Sequence, residues 1–498
     1  MKRFILAIDQ STTSTKCLLF DETGSLIQRV DRRHRTIRRD PGFVEHDALE
    51  IAAIAEEGIT RLLGEVPGEI AAIALSVQTG AFVLWDRTTG EPICPMVGWQ
   101  DTRGESVLRR LDRSYLSALE RAGYAPSGRT IPTKLLWLRE QVPRFDERAR
   151  SGELLFGTVD SWLAWRLSGG GRHVCNACNA SITRLYDPAA GEWNHELLEL
   201  LGIPPVILPR VIQDDGLFGT FETAGWRIPV TGVMGDSAAA LFAQGCFHPG
   251  DVKVTYGTGA SYLLNIGGTP LPPPPGISLN IAWSTEFSRV FVWEGTVAYA
   301  GAALSWLSDS LCLPVAADDS ERGASRLAAA LPDNGGVYFV PAFNGLGAPC
   351  FDSDARGCIC GITPATGVAH LARAALESAA YQVRDIAQYL ADYGGAPLPK
   401  SIAADGGGCA NRFEMQFQAD VLDARVVCGC VEESSAQGAA YMAGLAVGLW
   451  SRPEEFLAER KTGAVYCPAM EPQTRERTLQ GWRRAVQRTR DNKRETED

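Results

Sequence analysis

The chain has 498 residues but only six histidines, and none of them stands at zinc-finger spacing from a cysteine. It also has no apolar run of the ~18–20 residues that a bilayer-spanning helix needs. The nearest, Ala439 to Trp450 (AAYMAGLAVGLW), is shorter and reads as a buried helix. Nor is there a surplus of basic residues: 48 Lys and Arg face 59 Asp and Glu, a net charge of -11. That balance argues against nonspecific binding to nucleic acid or anionic membranes, while leaving room for a local basic pocket. The opening stretch MKRFILAIDQ lacks a small-residue cleavage site after its short apolar run, so a first β-strand is expected rather than a signal peptide. No period of 20 to 50 residues points to a solenoid. Together with the cysteine content described next, these absences lead to the expectation of a cytoplasmic protein whose partners are small molecules, with no nucleic acid and no membrane among them.

Some things are present in quantity. Thirteen cysteines are expected as reduced thiols. The local pairs Cys175/Cys178, Cys358/Cys360 and Cys428/Cys430 read as small buried hydrophobes rather than metal ligands. Apolar residues make up 45% and charged residues 21%, enough for a sizeable core. The length exceeds what one core usually supports, so two domains are expected. Strand-like runs (Ile70 to Leu75, Phe82 to Trp85, Val252 to Tyr256) alternate with helical ones (Leu108 to Ala122, Leu135 to Arg139), which gives the α/β class. Gly245, Pro249 and Gly250 punctuate the chain after a small-residue helix over Ser237 to Phe242, and the expected boundary falls there. The division is 1–246, 247–455 and a C-terminal extension, 456–498, with a charge-dense frayed tail from about Arg484.

Three turns carry chemistry. Between the runs RFILAI and CLLF lie five consecutive hydroxyl side chains, Ser11 to Thr15, closed by Lys16. Small hydroxyl residues let a ligand approach backbone N–H groups, and a cation at the end suits phosphate. Asp9, at the end of the first strand, opposes bare phosphate but suits a Mg²⁺ ion bridging phosphate oxygens. A polar hairpin turn with no ligand explains this stretch equally well. The segment Thr255 to Ser261 (TYGTGAS) repeats the strand–turn–strand logic in the second half, and two such loops can clamp a triphosphate from both sides. The third turn, Asp405 to Asn411 (DGGGCAN), permits close backbone approach and opens a helix near Arg412. A structural turn alone remains open for it.

Read in order, DQSTTSTK (9–16), FVEHD (43–47), FGTVDSWLAWRL (156–167), GD (235–236), YGTG (256–259), VPAFNGLGAP (340–349) and DGGGCANRFEMQFQAD (405–420) resemble the FGGY family of carbohydrate kinases, most closely its glycerol kinase branch. The resemblance runs from about residue 4 to 450. It implies two domains of the actin-like ATPase and ribonuclease-H-like type with an ATP cleft between them, Mg²⁺, and transfer of the γ-phosphate to a sugar or polyol hydroxyl. A homodimer or homotetramer is also implied. It carries nucleotide roles onto Thr12, Thr13, Ser14, Thr258, Gly301, Gly407 and Asn411. Lys16 stands where these kinases have arginine, and Ser305 where they have glutamine. Asp236 matches the catalytic base and, with Asp9, completes the expected metal ligands.

The acceptor pocket departs from that pattern. Glycerol kinases carry an Arg–Glu pair where this chain reads Thr79 and Gly80 after Gln78. A pocket tyrosine falls at or near Arg129, a glutamine becomes Ser237, and a phenylalanine becomes Ser261. WQDTR (99–103) resembles the W-x-D-x-R of pentulose kinases, placing Trp99 and Asp101 at sugar hydroxyls. Trading large groups for small ones and adding a carboxylate leads to the expectation of a polyol or ketose larger than glycerol, with glycerol itself as the alternative. A different class on the same superfold, an ATP-driven conformational machine, is disfavoured by these acceptor residues.

Overall fold

The computed structural model describes residues 2–121, 127–223, 225–315, 323–395, 397–429, 433–458 and 462–491. Two mixed β-sheets organise it. The first contains β1 (Arg3–Gln10), β2 (Ser14–Phe20), β3 (Leu26–Arg33), β4 (Glu69–Val77), β5 (Gly219–Thr223) and β6 (Trp226–Gly235), in the spatial order β5-β6-β4-β1-β2-β3. β1, β2 and β3 form an antiparallel meander, while β4 runs parallel to β1 and β6 parallel to β4. The second contains β7 (Val252–Tyr256), β8 (Ala260–Gly267), β9 (Ser278–Ser284), β10 (Arg289–Val297), β11 (Ser401–Asp405), β12 (Arg425–Gly429) and β13 (Thr462–Tyr466). Its order is β9-β10-β8-β7-β11-β12-β13, with β7 antiparallel to β8 and parallel to β11. The two sheets thus share one plan: an antiparallel hairpin first, then parallel strands added beside its first member. In each, the loop of that first hairpin is one of the two hydroxyl-rich turns found in the sequence.

Burial explains the strand composition. Phe4, Leu6 and Ile8 of β1 point to one face with Ile73 and Leu75 of β4, under α1 (Ala48–Glu65). Asp47 starts α1 by accepting from the N–H groups of Leu49 and Glu50. Ile5 and Ala7 point to the other face, where Ala436, Ala439, Ala440 and Ala443 cover them. Those alanines lie on a helix contributed from the far end of the chain. This lets α2 (Asp236–Ala243) and that C-terminal helix touch directly, and a β-carbon on Gly438 would lie 1.8 Å from the Ala239 carbonyl oxygen. The second sheet's helices are α3 (Gly301–Asp309), α4 (Val368–Gly394) and α5 (Arg412–Leu422); the covering helix is α6 (Ser434–Ala446) and the last is α7 (Pro472–Asp491).

Two local expectations need correcting. The helix over Leu108 to Ala122 is two helices, Glu105–Leu108 and Arg113–Arg121, because Asp112 accepts from the N–H groups of Ser114 and Tyr115 and so starts a new one; Ala122 lies outside the described residues. The tail from Arg484 continues α7 to Asp491 instead of fraying there, anchored by buried Trp482 and Ala485. Among the described residues no helix is long and apolar enough to cross a membrane, and no group of three or more His, Cys, Asp or Glu is placed to hold a metal ion. Cys430 lies outside the described residues.

Candidate active site

The C-terminal ends of three adjacent strands gather the acidic centre. Asp9 near the end of β1 pairs across the sheet with Ser76 of β4, and Gly235 at the end of β6 pairs with Val77. Asp236 follows as the first residue of α2. Ligand sites in open α/β sheets form outside such strand ends. Asp9 Oδ1 accepts from Ser76 Oγ and Ser435 Oγ, both at 2.9 Å, and its Oδ2 lies 3.8 Å from Lys16 Nζ. Burial pushes the Asp9 carboxyl above its usual range against the pull of Lys16. Asp236 rises to about 7, chiefly through loss of solvent, with the nearby charge of Asp9 adding to it and the Ser237 N–H (2.8 Å) and Lys253 opposing it. Two hard-oxygen groups, both raised by burial and the second raised further by the charge of the first, fit a divalent cation that would neutralise them.

Lys253 of β7 is fully buried and contacts Asp405 Oδ2 at 3.1 Å, Thr255 Oγ1, and the Ser237 carbonyl at 3.4 Å. It therefore ties the second sheet to the first turn of α2. Neither its role nor those of Ser76, Ser435 and Glu433 was visible in the sequence.

The first hydroxyl-rich loop is held from behind. The Gln78 amide nitrogen lies within hydrogen-bonding reach of Gln10 Oε1 and the Ser11 carbonyl, and the Gln78 backbone N–H donates to Gln10 O. Ser14 is buried, with its N–H directed at Ser11 Oγ, while Thr13 is exposed. Trp99, 43% exposed, donates its indole N–H to Thr12 Oγ1 at 3.1 Å, so one side chain bridges the turn over residues 98–101 and the hydroxyl-rich loop. Lys134, completely buried, fixes that turn by donating to the carbonyls of Gly98 (2.9 Å) and Trp99 (3.2 Å); burial pushes its ammonium down to about 7. Lys16 itself donates to Glu433 at 2.7 Å in this structure, and Glu433 also pairs with Arg29.

Several expected acceptor residues converge and two do not. Thr79 packs on the residue before Asp236: a β-carbon on Gly235 would lie 2.6 Å from Thr79 Cγ2. Gly80, at φ +75°, faces Trp99, whose Cβ would sit 3.2 Å from a β-carbon there. Ser261 donates to Glu294 Oε1 at 2.9 Å, and Glu294 of β10 also accepts from Asn280. Asp101, by contrast, is wholly buried: its oxygens accept from Arg103 and from the Val44 N–H, and Arg103 in turn binds Glu45. Its carboxylate is spent inside the wall. Arg129 is exposed, just ahead of the helix Ile131–Gln141, and is not drawn into this group.

The second loop opens a cavity of about 380 Å³ lined by Gly257, Thr258, Gly301, Ser305, Gly407 and Asn411 among others. The N–H groups of Ala300 and Ala302 donate to Thr258 O, and that of Gly301 to Gly257 O, which seats the start of α3 on the loop. Gly406 (φ +88°) lets the third turn come within contact of the Tyr256 carbonyl; a β-carbon there would lie 2.3 Å away. Asn411 caps α5 by accepting from the Glu414 N–H at 3.0 Å.

Residues 4–243 match the profile of the FGGY family of carbohydrate kinases, N-terminal domain, and residues 252–447 that of its C-terminal domain. The chain belongs to this family. Like its relatives it is an ATP-dependent phosphotransferase with an alcohol group as acceptor, and its fold is that of the two-domain actin-like and ribonuclease-H-like kinases. It is 42% identical to glycerol kinase of Halorhodospira halophila, covering 100% of this chain and 98% of that one, and 41% identical to glycerol kinase of Carboxydothermus hydrogenoformans (98% and 99%). The crystal structure of Plasmodium falciparum glycerol kinase with ADP superposes with a TM-score of 0.90 at 30% identity, covering 98% of each chain.

These relationships overturn the expectation of a polyol or ketose larger than glycerol: at about 40% identity over the full length, the relatives are glycerol kinases. The structure supplies the physical reason. That reading needed a free Asp101, but Asp101 is committed to Arg103, and Glu294 brings a carboxylate beside Ser261.

Proposed function

We propose that the protein is a glycerol kinase, transferring the γ-phosphate of ATP to a hydroxyl of glycerol. The observation that carries this reading is full-length identity of about 40% to glycerol kinases, in a chain that keeps an acid at residue 236 between two phosphate loops. Thr12, Thr13, Ser14 and Lys16 present N–H, hydroxyl and ammonium donors to the β- and γ-phosphates. Thr258, Gly301, Ser305, Gly407 and Asn411 take the remainder of the nucleotide. Asp9 and Asp236 would hold Mg²⁺, which supplies neutralisation of phosphate charge when bound.

The acceptor oxygen attacks the γ-phosphorus in line as the bond to the β,γ-bridging oxygen breaks, and its proton passes to an Asp236 carboxylate oxygen. Lys253 fixes α2 and offsets part of the charge near Asp236. The acceptor pocket differs from the resembled pattern. Thr79 and Gly80 offer no charged fork, so glycerol's remaining hydroxyls are met by Glu294 and Ser261 from the second sheet, with Trp99 as the apolar wall. Gln78 serves the pocket indirectly, by bracing the phosphate loop.

The test is ADP release with purified protein and ATP·Mg²⁺, with and without glycerol. Glycerol-dependent turnover is expected, and Asp236→Asn should lower kcat by about 10²–10⁴-fold while sparing ADP binding. Turnover no faster with glycerol than without it would overturn the proposal.

A further inference from the structure

The wall of the nucleoside cavity contains an acid that the phosphate-loop reasoning does not use. Glu414 of α5 is 7% exposed, lines the cavity, and among the described residues its carboxyl has no hydrogen-bond or ion-pair partner. A buried acid without a partner is unfavourable unless a ligand satisfies it. Two of its polar neighbours in the wall already use an oxygen within the protein. Asn411 spends Oδ1 on the Glu414 N–H, and Ser305 Oγ donates to the Gly301 carbonyl one turn back. Beyond the turn at Gly257 the lining becomes apolar through Leu304 and Leu376, the surface a base occupies rather than a phosphate.

We propose that Glu414 reads the purine base of the nucleotide, its carboxyl pairing in two-point fashion with the 6-amino group and an adjacent ring nitrogen of adenine. The inference rests on ATP being the donor in the reading above. Adenine offers a donor beside an acceptor, whereas guanine offers an acceptor at O6 beside N–H donors. A protonated carboxyl has one O–H donor and one C=O acceptor and complements adenine; an ionised one has acceptors only and complements guanine's N–H edge. Burial, with no cation nearby, holds Glu414 protonated through neutrality, its pKa pushed up to about 8. The titratable groups around it are Tyr256 of β7, whose hydroxyl donates to Gln418 one turn along α5, and Cys409 of the preceding turn. From α4, Arg373 stacks on the neighbouring Phe413 ring and is paired with Glu377.

The experiment is calorimetric binding of ADP and GDP to the full chain at pH 7 and pH 9, with no acceptor present, for wild type, Glu414→Gln and Glu414→Leu. Wild type should prefer ADP at pH 7 and lose about fivefold or more of that preference at pH 9. Glu414→Gln, a permanent donor beside an acceptor, should keep the preference at both pH values; Tyr256 and Cys409, both pushed upward, stay protonated across this range in both proteins, so the comparison isolates residue 414. Glu414→Leu should bind ADP about tenfold more weakly and bring the ADP:GDP ratio toward one. An ADP affinity and ratio within twofold of wild type in Glu414→Leu would overturn the proposal, as would a wild-type ratio equal at both pH values. Because no acceptor is used, failure of glycerol turnover leaves this result standing, and the reverse also holds.

Discussion

Replacing Lys253 by methionine removes a buried cation while nearly preserving its volume. In the wild type the ammonium lies 3.1 Å from Asp405 Oδ2, also touches Thr255 Oγ1, and reaches the Ser237 carbonyl at 3.4 Å. Asp405 is only 9% exposed, and its Oδ1 already lacks a protein partner. Without Lys253 a carboxylate is left buried and unpaired, a situation that costs about 3–5 kcal/mol. The double variant Lys253→Met, Asp405→Asn removes both charges and should recover at least half of that loss. Urea unfolding at pH 7 without nucleotide measures all four corners of the cycle. A second readout follows from the tie to α2: the Asp236 carboxyl loses the charge that pulls it down, and kcat should fall more than the glycerol KM changes. A single-variant loss under about 1 kcal/mol, or no recovery in the double variant, would refute the claim that this pair is a desolvated unit within the second sheet.

Two further outcomes follow. Gly438→Ala places a methyl 1.8 Å from the Ala239 carbonyl oxygen, which cannot yield without moving α2 or α6; a loss of about 2–4 kcal/mol with reduced kcat is expected, and wild-type stability would contradict the close approach. Glu414 has a folded-state pKa of about 8 against an ordinary 4.5, so the unfolded chain releases its proton first as pH rises. Stability from this group is therefore fully present below about pH 4.5 and is lost as pH rises to about 8, by at most ~5 kcal/mol. Glu414→Gln lacks that slope, so its melting temperature should gain on the wild type between pH 5 and pH 8, and a constant gap would contradict the burial.

The two hairpin turns could be placed from the sequence because their signal is local: a hydroxyl- or glycine-rich stretch between two apolar runs marks strand, turn, strand. The start of α2 at Asp236 was legible for the same reason. What escaped was everything assembled across the fold. Ser435 reaches Asp9 from 426 residues away, and Lys253 meets Asp405 only because β7 and β11 lie side by side. Glu414 is hidden inside an amphipathic helix pattern that gives no hint of a cavity on its buried side. Asp101 was misread by the opposite error. Its ligand-like motif is local, but so is Arg103 two residues on, and the nearer partner wins. The substrate expectation failed by treating missing large side chains in one stretch of sequence as empty space, without the groups that other elements bring, such as Glu294 beside Ser261.

The alanine face of α6 has a consequence for biosynthesis. Ile5, Ala7, Leu18 and Phe20 of the first sheet are covered by Ala436, Ala439, Ala440 and Ala443. About 370 residues separate the end of β4 from the end of α6, and at ~5–20 residues per second their synthesis takes roughly 20–75 s. Throughout that interval the sheet emerging first carries a bare apolar face on the ribosome. The amino-terminal half therefore cannot mature as an autonomous unit ahead of the rest, and its exposure to aggregation or to a chaperone is set by how quickly Ser434–Ala446 arrives.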